Sequence, residues 1–105
     1  MIFAALALLA VEPHAYLSLS TTTGAMIADE CEKSSGTLLD PCNSYILGVA
    51  DTLQIDRKSC RPQSEAATLQ TLTITRRYIH DHPELWGRHP SYLVRDALIG
   101  AFPCR

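Results

Sequence analysis

The sequence lacks several features that mark common classes of function. Eleven Asp and Glu outnumber nine Lys and Arg, and the charges are interspersed, so no basic patch for nucleic acid or anionic lipid is present. The cysteines form no CxxC pair, the arrangement typical of many zinc sites. No apolar run is long enough to span a membrane, and there are no repeats. We therefore expect no nucleic-acid partner and no membrane association of the mature chain.

Patterns of catalytic residues are also missing. There is no GxSxG or similar nucleophile elbow, and each cysteine has a potential structural partner. His80, His82 and His89, with Asp81 and Glu84 nearby, have a metal-like composition, but residues two apart on a helix point in different directions. We interpret them as a solvated helix end, where histidine complements the helix dipole. The sequence therefore predicts no enzyme activity, no bound metal and no cofactor.

A short apolar run, MIFAALALLAV, opens the chain and has the size of the hydrophobic region of a secretory signal peptide. The Lys or Arg that usually precedes such a region is missing, which makes the leader atypical. Small residues allow cleavage near Ala15 or near Ser20. We predict a signal peptide over residues 1–20 and export of the mature chain. The alternative is a buried N-terminal helix.

Four cysteines, Cys31, Cys42, Cys60 and Cys104, remain after the leader. An even number of cysteines in an exported chain of under about 100 residues usually forms disulfides. A core of this size supplies little net stability, and each disulfide would typically add about 2–4 kcal/mol, mainly by restricting the unfolded chain. Four cysteines allow three pairings, so the pairing has to be argued from topology.

Helical periodicity divides residues 21–105 into four segments, at about 23–33, 40–55, 64–82 and 91–101, and predicts one all-α domain, a compact four-helix bundle stapled by disulfides. The third segment is the least clear, because residues 69–75 alternate with period two and would also suit a strand. We prefer a helix, since no second strand exists to pair with it. The apolar positions with helical spacing are Met26, Ile27 and Cys31; Cys42, Tyr45, Ile46, Val49 and Leu53; Ala67, Thr71, Ile74 and Tyr78; and Leu93, Val94, Ala97, Leu98 and Ala101.

Short connections would make the four helices alternate in direction. The end of the first helix then meets the start of the second, which brings Cys31 near Cys42. Cys60 follows the second helix and Cys104 follows the fourth, at the same end of the bundle. Among the three possible pairings, this topology favours Cys31–Cys42 and Cys60–Cys104.

Two residues of the second helix have two interpretations each. Asp51 is either a member of a buried network or, more commonly, an exposed surface charge. Gly48 lowers helix stability, so either another backbone approaches it closely or it is a tolerated surface glycine.

The segment His82–Pro90 is bounded by prolines and centred on a glycine, which predicts an irregular connection between the third and fourth helices. Its Leu85 and Trp86, flanked by Arg88 and His89, have the composition of a binding hot spot. The alternative is that Trp86 folds back and covers the end of the bundle, since amphipathic aromatic side chains serve both roles. These four residues are the candidate partner-binding residues.

A series of short motifs resembles the Rap/Tai immunity family. The motifs are Cys31; Cys42-x-x-Tyr45-x-x-Gly48-x-x-Asp51; Cys60-x-Pro62; Tyr78-Ile79-x-x-His82-Pro83-Glu84; and Leu93-Val94-x-x-Ala97-Leu98-x-x-Ala101-Phe102-Pro103-Cys104. No single motif is diagnostic, but the ordered cysteines with CxP, HPE and the closing FPC are fairly specific in combination. The match spans nearly the whole mature chain.

The resemblance implies a compact helical periplasmic protein that binds and inhibits a cognate amidase effector of type VI secretion. Such effectors are papain-like cysteine peptidases that cut peptidoglycan stem peptides, and a loop or helix end of the inhibitor enters their cleft. Homodimers are common in the family, so a homodimer is a further expectation. Contacts are specific to each cognate pair, so the choice of Leu85, Trp86, Arg88 and His89 rests on loop chemistry. An acid-stress chaperone whose histidines change charge near neutrality is the alternative.

Overall fold

The structure, a computed structural model, describes residues 19–34 and 36–105, so most of the predicted leader over residues 1–20 lies outside the described residues. The described helices are α1 (Gly24–Glu32), α2 (Pro41–Ile55), α3 (Glu65–Asp81) and α4 (Pro90–Ala101), with a 3₁₀ turn at Pro83–Leu85. No strand occurs in this part of the chain. The prediction of an all-α four-helix fold is confirmed, and the ambiguous segment 69–75 is helical.

Each helix begins at a side chain that caps it. Thr23, Asp40 and Ser64 accept a hydrogen bond from the backbone N–H three residues further on, at the starts of α1, α2 and α3. The fourth helix begins one residue before its predicted start at Ser91 and is capped by His89, whose Nδ1 accepts from the Ser91 backbone N–H at 3.2 Å. The helix boundaries follow from these local caps, which is why the sequence predicts them closely.

The core consists of two clusters of buried side chains that share neighbours. The first lies between α2, α3 and α4 and contains Cys42, Ile46, Ala50, Leu53, Leu72, Val94 and Leu98. The second joins α1 to the end of α3 and the start of α4 and contains Ile27, Ala28, Ile79 and Leu93. The partly buried Cys31 and Tyr45 pack against both clusters, which makes the core continuous.

Two of the positions expected to face the core are exposed. Met26 is 55% exposed, because the buried stripe of α1 runs through Ile27 and Ala28 and leaves Met26 to one side. Ala101, the last residue of α4, is exposed because the buried stripe of that helix ends at Leu98. Both expectations were wrong, for different reasons: Met26 lies beside the buried stripe of its helix, whereas Ala101 lies beyond the end of the stripe.

The two disulfides are Cys31–Cys42 and Cys60–Cys104, the pairs that the helix topology favours. Their Cα atoms are 4.8 and 4.9 Å apart, within the usual range for disulfides. The first bond joins the end of α1 to the start of α2. The second joins the loop after α2 to the chain after α4, where the Cys60 N–H also donates to the Phe102 carbonyl at 2.8 Å. No cysteine is left as a free thiol.

The two ambiguous residues of α2 lie on its exposed side. The Asp51 carboxylate pairs with Arg61 Nη2 at 2.7 Å and is largely exposed, so it is a surface charge. A Cβ atom at Gly48 would contact nothing within 4 Å, so the hypothesis of a close backbone approach there is wrong and Gly48 is a surface glycine.

Candidate partner-binding site

The candidate loop, residues 82–89, connects α3 to α4 and crosses the amino terminus of α1. The Gly24 N–H donates to the Arg88 carbonyl at 2.7 Å, and the Ala25 N–H donates to the Trp86 carbonyl at 3.0 Å. The first N–H groups of any helix have no acceptor within the helix itself. The loop supplies these acceptors, so α1 and the loop hold each other in place.

Gly24 permits this close approach. A Cβ atom at this position would lie 2.9 Å from the Trp86 Cα, 3.0 Å from the Trp86 carbonyl oxygen and 3.2 Å from the Arg88 carbonyl oxygen. All three neighbours are backbone atoms, which cannot rotate away as a side chain can. Glycine is therefore required here. Gly24 was not among the predicted site residues. The available signal was its place directly after the Thr23 cap, because glycine is a poor helix former.

Trp86 combines a buried edge with an exposed surface. Together with Leu85 it packs against the second core cluster, around Ile27 and Ile79. Its indole Nε1 donates to the Ile79 carbonyl at 2.8 Å. That carbonyl belongs to the last turn of α3, where backbone acceptors lack helical donors. Trp86 thus covers the end of this cluster, as the alternative interpretation of the sequence expects, and the rest of its side chain borders a groove.

The groove beside Trp86 lies between α1 and α3 and has a volume of about 340 Å³. Glu32 of α1 and His80 of α3 face each other across it, with 3.9 Å between the Glu32 Oε1 and His80 Nε2 atoms. The exposed Arg77 also lines it and forms no ion pair with another described residue. The groove is therefore lined by charged side chains above an apolar floor that includes Ala28.

Arg88 is exposed but oriented by its neighbours on α4. Its guanidinium carbon lies 4.7 Å from the centre of the Tyr92 ring, and that of Arg95 lies 4.8 Å from the same ring. Asp96 Oδ2 is 3.9 Å from Arg88 Nη1. Each such contact contributes up to about 1 kcal/mol at an exposed site. Together they restrain the guanidinium while leaving it accessible to a partner.

His89 connects the loop to α4 and to the segment before α1. Its Nδ1 accepts from the Ser91 backbone N–H and lies 2.7 Å from the Ser91 hydroxyl oxygen. This geometry assigns the ring proton to Nε2, which donates to Ser20 Oγ at 2.8 Å. His89 therefore caps a helix in addition to lying in the candidate loop.

The structure thus brings the four candidate residues into one loop but directs them to two sides. Leu85 and Trp86 pack against the core cluster and the groove, whereas Arg88 and His89 contact α4. The exposed surface of the loop is mixed, with an aromatic edge on one side and a cation on the other.

The histidine-rich end of α3 is solvated, as the sequence predicts. His80 is exposed, and the His82 Nδ1 lies 2.8 Å from Glu84 Oε2, a hydrogen bond that holds the pKa of the Glu84 carboxyl below its usual value. Within residues 19–34 and 36–105, no group of three or more His, Cys, Asp or Glu side chains is arranged to hold a metal ion. None of the helices described has the length and apolar character needed to cross a membrane.

Arg76, a second residue that was not among the predicted site residues, connects α3 to the turn between α1 and α2. Its guanidinium donates to the Cys31 carbonyl at 2.8 Å, to Asn43 Oδ1 at 2.9 Å and to Ser34 Oγ at 3.0 Å. It thereby joins α3 to both sides of the Cys31–Cys42 disulfide. The available signal was spacing, because Arg76 lies four residues after the buried Leu72 and falls on the inward side of α3.

Asp40 completes the network around Arg76. Its buried carboxylate accepts from the Asn43 backbone N–H at 2.8 Å and from the Ser34 hydroxyl. These two hydrogen bonds, and the nearby Arg76 charge, hold the pKa of the Asp40 carboxyl below its ordinary value. The turn between α1 and α2 is therefore fixed by charge-assisted hydrogen bonds as well as by a disulfide.

Fold and site together define a small, disulfide-stapled helical protein with a braced surface loop, an architecture suited to binding another protein. A family model of Rap1a immunity proteins matches residues 23–104. The chain belongs to this family, which confirms the resemblance to the Rap/Tai immunity proteins, and it is therefore an immunity protein for a secreted effector. Comparisons with curated proteins and with solved structures gave no match.

Proposed function

We propose that this immunity protein binds a cognate peptidoglycan amidase effector of type VI secretion in the periplasm and inhibits it by occluding its active-site cleft. The match of residues 23–104 to the Rap1a immunity proteins carries the proposal. The two disulfides support export, because disulfides persist in the bacterial periplasm and are rare in the cytosol. The inhibitor performs no chemistry of its own, since covering the cleft is sufficient to exclude peptidoglycan.

The loop of residues 82–89 is the contact surface that we propose for the effector. Its backbone is held by α1, its Trp86 indole is hydrogen-bonded to α3, and its end is fixed by the His89 cap. A loop that is ordered before binding loses little conformational entropy in the complex. Trp86 and Arg88 are also the residue types most often found in binding hot spots.

The test begins with the gene next to that of this protein, which we expect to encode a papain-like amidase. That amidase and the purified protein are then compared by calorimetric titration and by an assay of peptidoglycan hydrolysis. The wild-type protein should bind and abolish hydrolysis. Arg88→Ala should raise the Kd about 5-fold or more, because hot-spot truncations cost over about 1 kcal/mol. Arg105→Ala is the matched control, since Arg105 is an exposed arginine in the chain terminus.

The Arg105→Ala variant should bind as tightly as the wild type. A wild-type protein that leaves the amidase fully active would refute the proposed function. An Arg88→Ala variant with unchanged affinity would refute the assignment of the contact to this loop.

A further inference from the structure

The disulfide between Cys31 and Cys42 joins two sulfur atoms in different surroundings. Cys42 is fully buried and is the second residue of α2, in the turn where a helix carries a partial positive charge. Cys31 is partly buried and lies in the last turn of α1, where a helix carries a partial negative charge, and Glu32 follows it. A negative charge is therefore favoured on the Cys42 sulfur and disfavoured on the Cys31 sulfur.

Arg76 adds a full positive charge on the Cys42 side of the bond. Its Nη1 atom lies 3.3 Å from the Cys42 Sγ atom, and its hydrogen bonds to Asn43 and to the Cys31 carbonyl fix the guanidinium in this position. The Asp40 carboxylate opposes this charge in part, but it is directed to the start of α2, where the Asn43 N–H donates to it at 2.8 Å. A cation and a helix amino terminus both stabilise a thiolate.

The second disulfide has neither of these features. Cys60 lies in the loop after α2 and Cys104 in the chain after α4, so neither belongs to the first turn of a helix. Among the residues that the structure describes, none donates a hydrogen bond to the sulfur atom of Cys60 or Cys104. Cys104 is nevertheless exposed, whereas Cys42 is buried. The two disulfides therefore separate the effect of exposure from that of thiolate stabilisation.

The groove beside Trp86 gives access to the Cys31 side of the first disulfide. Cys31 lines this groove, whereas Cys42 belongs to the first core cluster. The groove volume of about 340 Å³ falls within the range of small-molecule sites. Arg77, which lines the groove and forms no ion pair with another described residue, favours the approach of an anion. A thiolate that enters the groove therefore meets Cys31 first.

We propose that Cys31–Cys42 is a thiol-exchange site, at which a thiol reductant attacks Cys31 from the groove and Cys42 leaves as a thiolate. The reductant sulfur bonds to the Cys31 sulfur, the bond to Cys42 breaks, and its electron pair leaves with Cys42. A second reductant thiol then attacks the reductant sulfur of this mixed disulfide and releases Cys31. Of the two protons that the reductant loses, one goes to Cys31 and the other to the solvent.

This exchange oxidises two reductant thiols to a disulfide and reduces the two cysteines. A thiol of low pKa leaves faster, and a disulfide whose reduced form is stabilised is easier to reduce. The fold has contacts that outlast the bond, because Arg76 also joins α3 to the Cys31 carbonyl and to Ser34, and Asp40 caps α2. The reduced protein should therefore keep its helices, and the exchange should be reversible.

The test compares the two disulfides of the purified protein in glutathione buffers. Free thiols are trapped with iodoacetamide, and peptide mass spectrometry gives the reduced fraction of each bond, while circular dichroism checks that the helices persist. The equilibrium constant for reduction should be about 10-fold or more larger for Cys31–Cys42 than for Cys60–Cys104. An equal or smaller constant for Cys31–Cys42 would overturn the inference, since exposure alone would then decide which bond opens.

A parallel series with a reduced thioredoxin, a protein dithiol, distinguishes two sources of the thiol. Reduction of Cys31–Cys42 by both reagents supports exchange with small thiols. Reduction by the dithiol protein alone supports exchange with a protein partner. If neither reagent opens this bond while the helices persist, the inference is wrong.

A matched pair of variants tests the asymmetry of the bond. Cys31→Ser leaves Cys42 as the thiol and Cys42→Ser leaves Cys31, so both lack the same disulfide. The ultraviolet absorbance of the thiolate at neutral pH should be about 10-fold or more greater in Cys31→Ser. Equal absorbance in the two variants would contradict the assignment of Cys42 as the leaving group.

The role of Arg76 is tested in the Cys31→Ser background. Arg76→Met removes the charge and should lower the thiolate absorbance, whereas Arg76→Lys keeps the charge and should retain most of it. Unchanged absorbance in Arg76→Met would exclude Arg76 as the stabilising cation. These experiments use no amidase, so their outcome is independent of the proposed function.

Discussion

Replacing Gly24 by alanine should destabilise the protein, although alanine is the better helix former. At an unconstrained helical position the change from glycine to alanine stabilises by about 0.5–1 kcal/mol. At Gly24 the added methyl carbon would lie 2.9 Å from the Trp86 Cα and 3.0 Å from the Trp86 carbonyl oxygen. Because both neighbours are backbone atoms, either the loop or α1 has to move.

The size of the destabilisation depends on the packing and the hydrogen bonds that this movement disturbs. Overpacking of this kind costs about 1–3 kcal/mol. The two hydrogen bonds from α1 to the loop, 2.7 Å from Gly24 and 3.0 Å from Ala25, would lengthen, and each contributes about 0.5–1.5 kcal/mol when intact. After the gain in helix propensity is subtracted, we expect the free energy of unfolding to fall by about 2 kcal/mol in this variant. For a domain of this size that corresponds to a fall in Tm of about 8–16 °C.

Thermal and urea unfolding followed by circular dichroism measures this loss, with Gly48→Ala as the matched control. A Cβ atom at Gly48 would contact nothing within 4 Å, so this variant should gain about 0.5–1 kcal/mol. The fluorescence of Trp86, the single tryptophan, reports movement of the loop. If Gly24→Ala is as stable as the wild type, the loop does not lie against α1 as described, and the argument for an ordered binding loop fails.

Serine substitution of Cys60 and Cys104 should cost about 4 kcal/mol, against about 3 kcal/mol for Cys31 and Cys42, because the sequence separations are 44 and 11 residues. Urea unfolding measures which double variant loses more stability. A larger loss for the Cys31 and Cys42 variant would contradict the argument that a longer closed loop restricts the unfolded chain more. Asp40 should make the free energy of unfolding depend on pH in the acid range. Its pKa is lowered by folding, so its contribution is complete above 3.8, its ordinary value, and is lost as the pH falls through the lower folded value. Urea unfolding between about pH 5 and pH 2 should show a shallower loss for Asp40→Asn, and an identical slope would contradict this role.

The helices and the disulfide pairs could be predicted because their signals are local or follow from chain direction. Three helix starts have local signals in the sequence: Thr22 or Thr23 can cap α1, Pro41 suits the first turn of α2, and Ser64 can cap α3. Because the helices alternate in direction, Cys31 is expected near Cys42 and Cys60 near Cys104, so the topology favours this pairing. The inward face of α1 was misjudged at Met26 because a short helix has room for only one buried stripe, and its neighbours in the fold select which one.

The contacts that brace the candidate site could not be predicted in the same way, because they join residues far apart in the sequence. Gly24 matters only because the backbone at Trp86 passes over it, and its own neighbours in the chain do not indicate this. Spacing places Arg76 on the inward side of α3, but its hydrogen-bond partners become apparent only when the turn between α1 and α2 is placed beside it. The composition of residues 82–89 identified the loop, but not the hydrogen bond that joins the Trp86 indole to the end of α3.

Protection of cells from the amidase that we propose as the cognate effector tests the immunity function most directly. The amidase is directed to the periplasm of a host strain, and lysis is followed by turbidity with and without co-expression of this protein. We predict that the full chain prevents lysis and that a form without residues 1–20, which we expect to stay in the cytosol, does not. Lysis at the same rate in the presence of the full, exported and folded chain would contradict the proposed function.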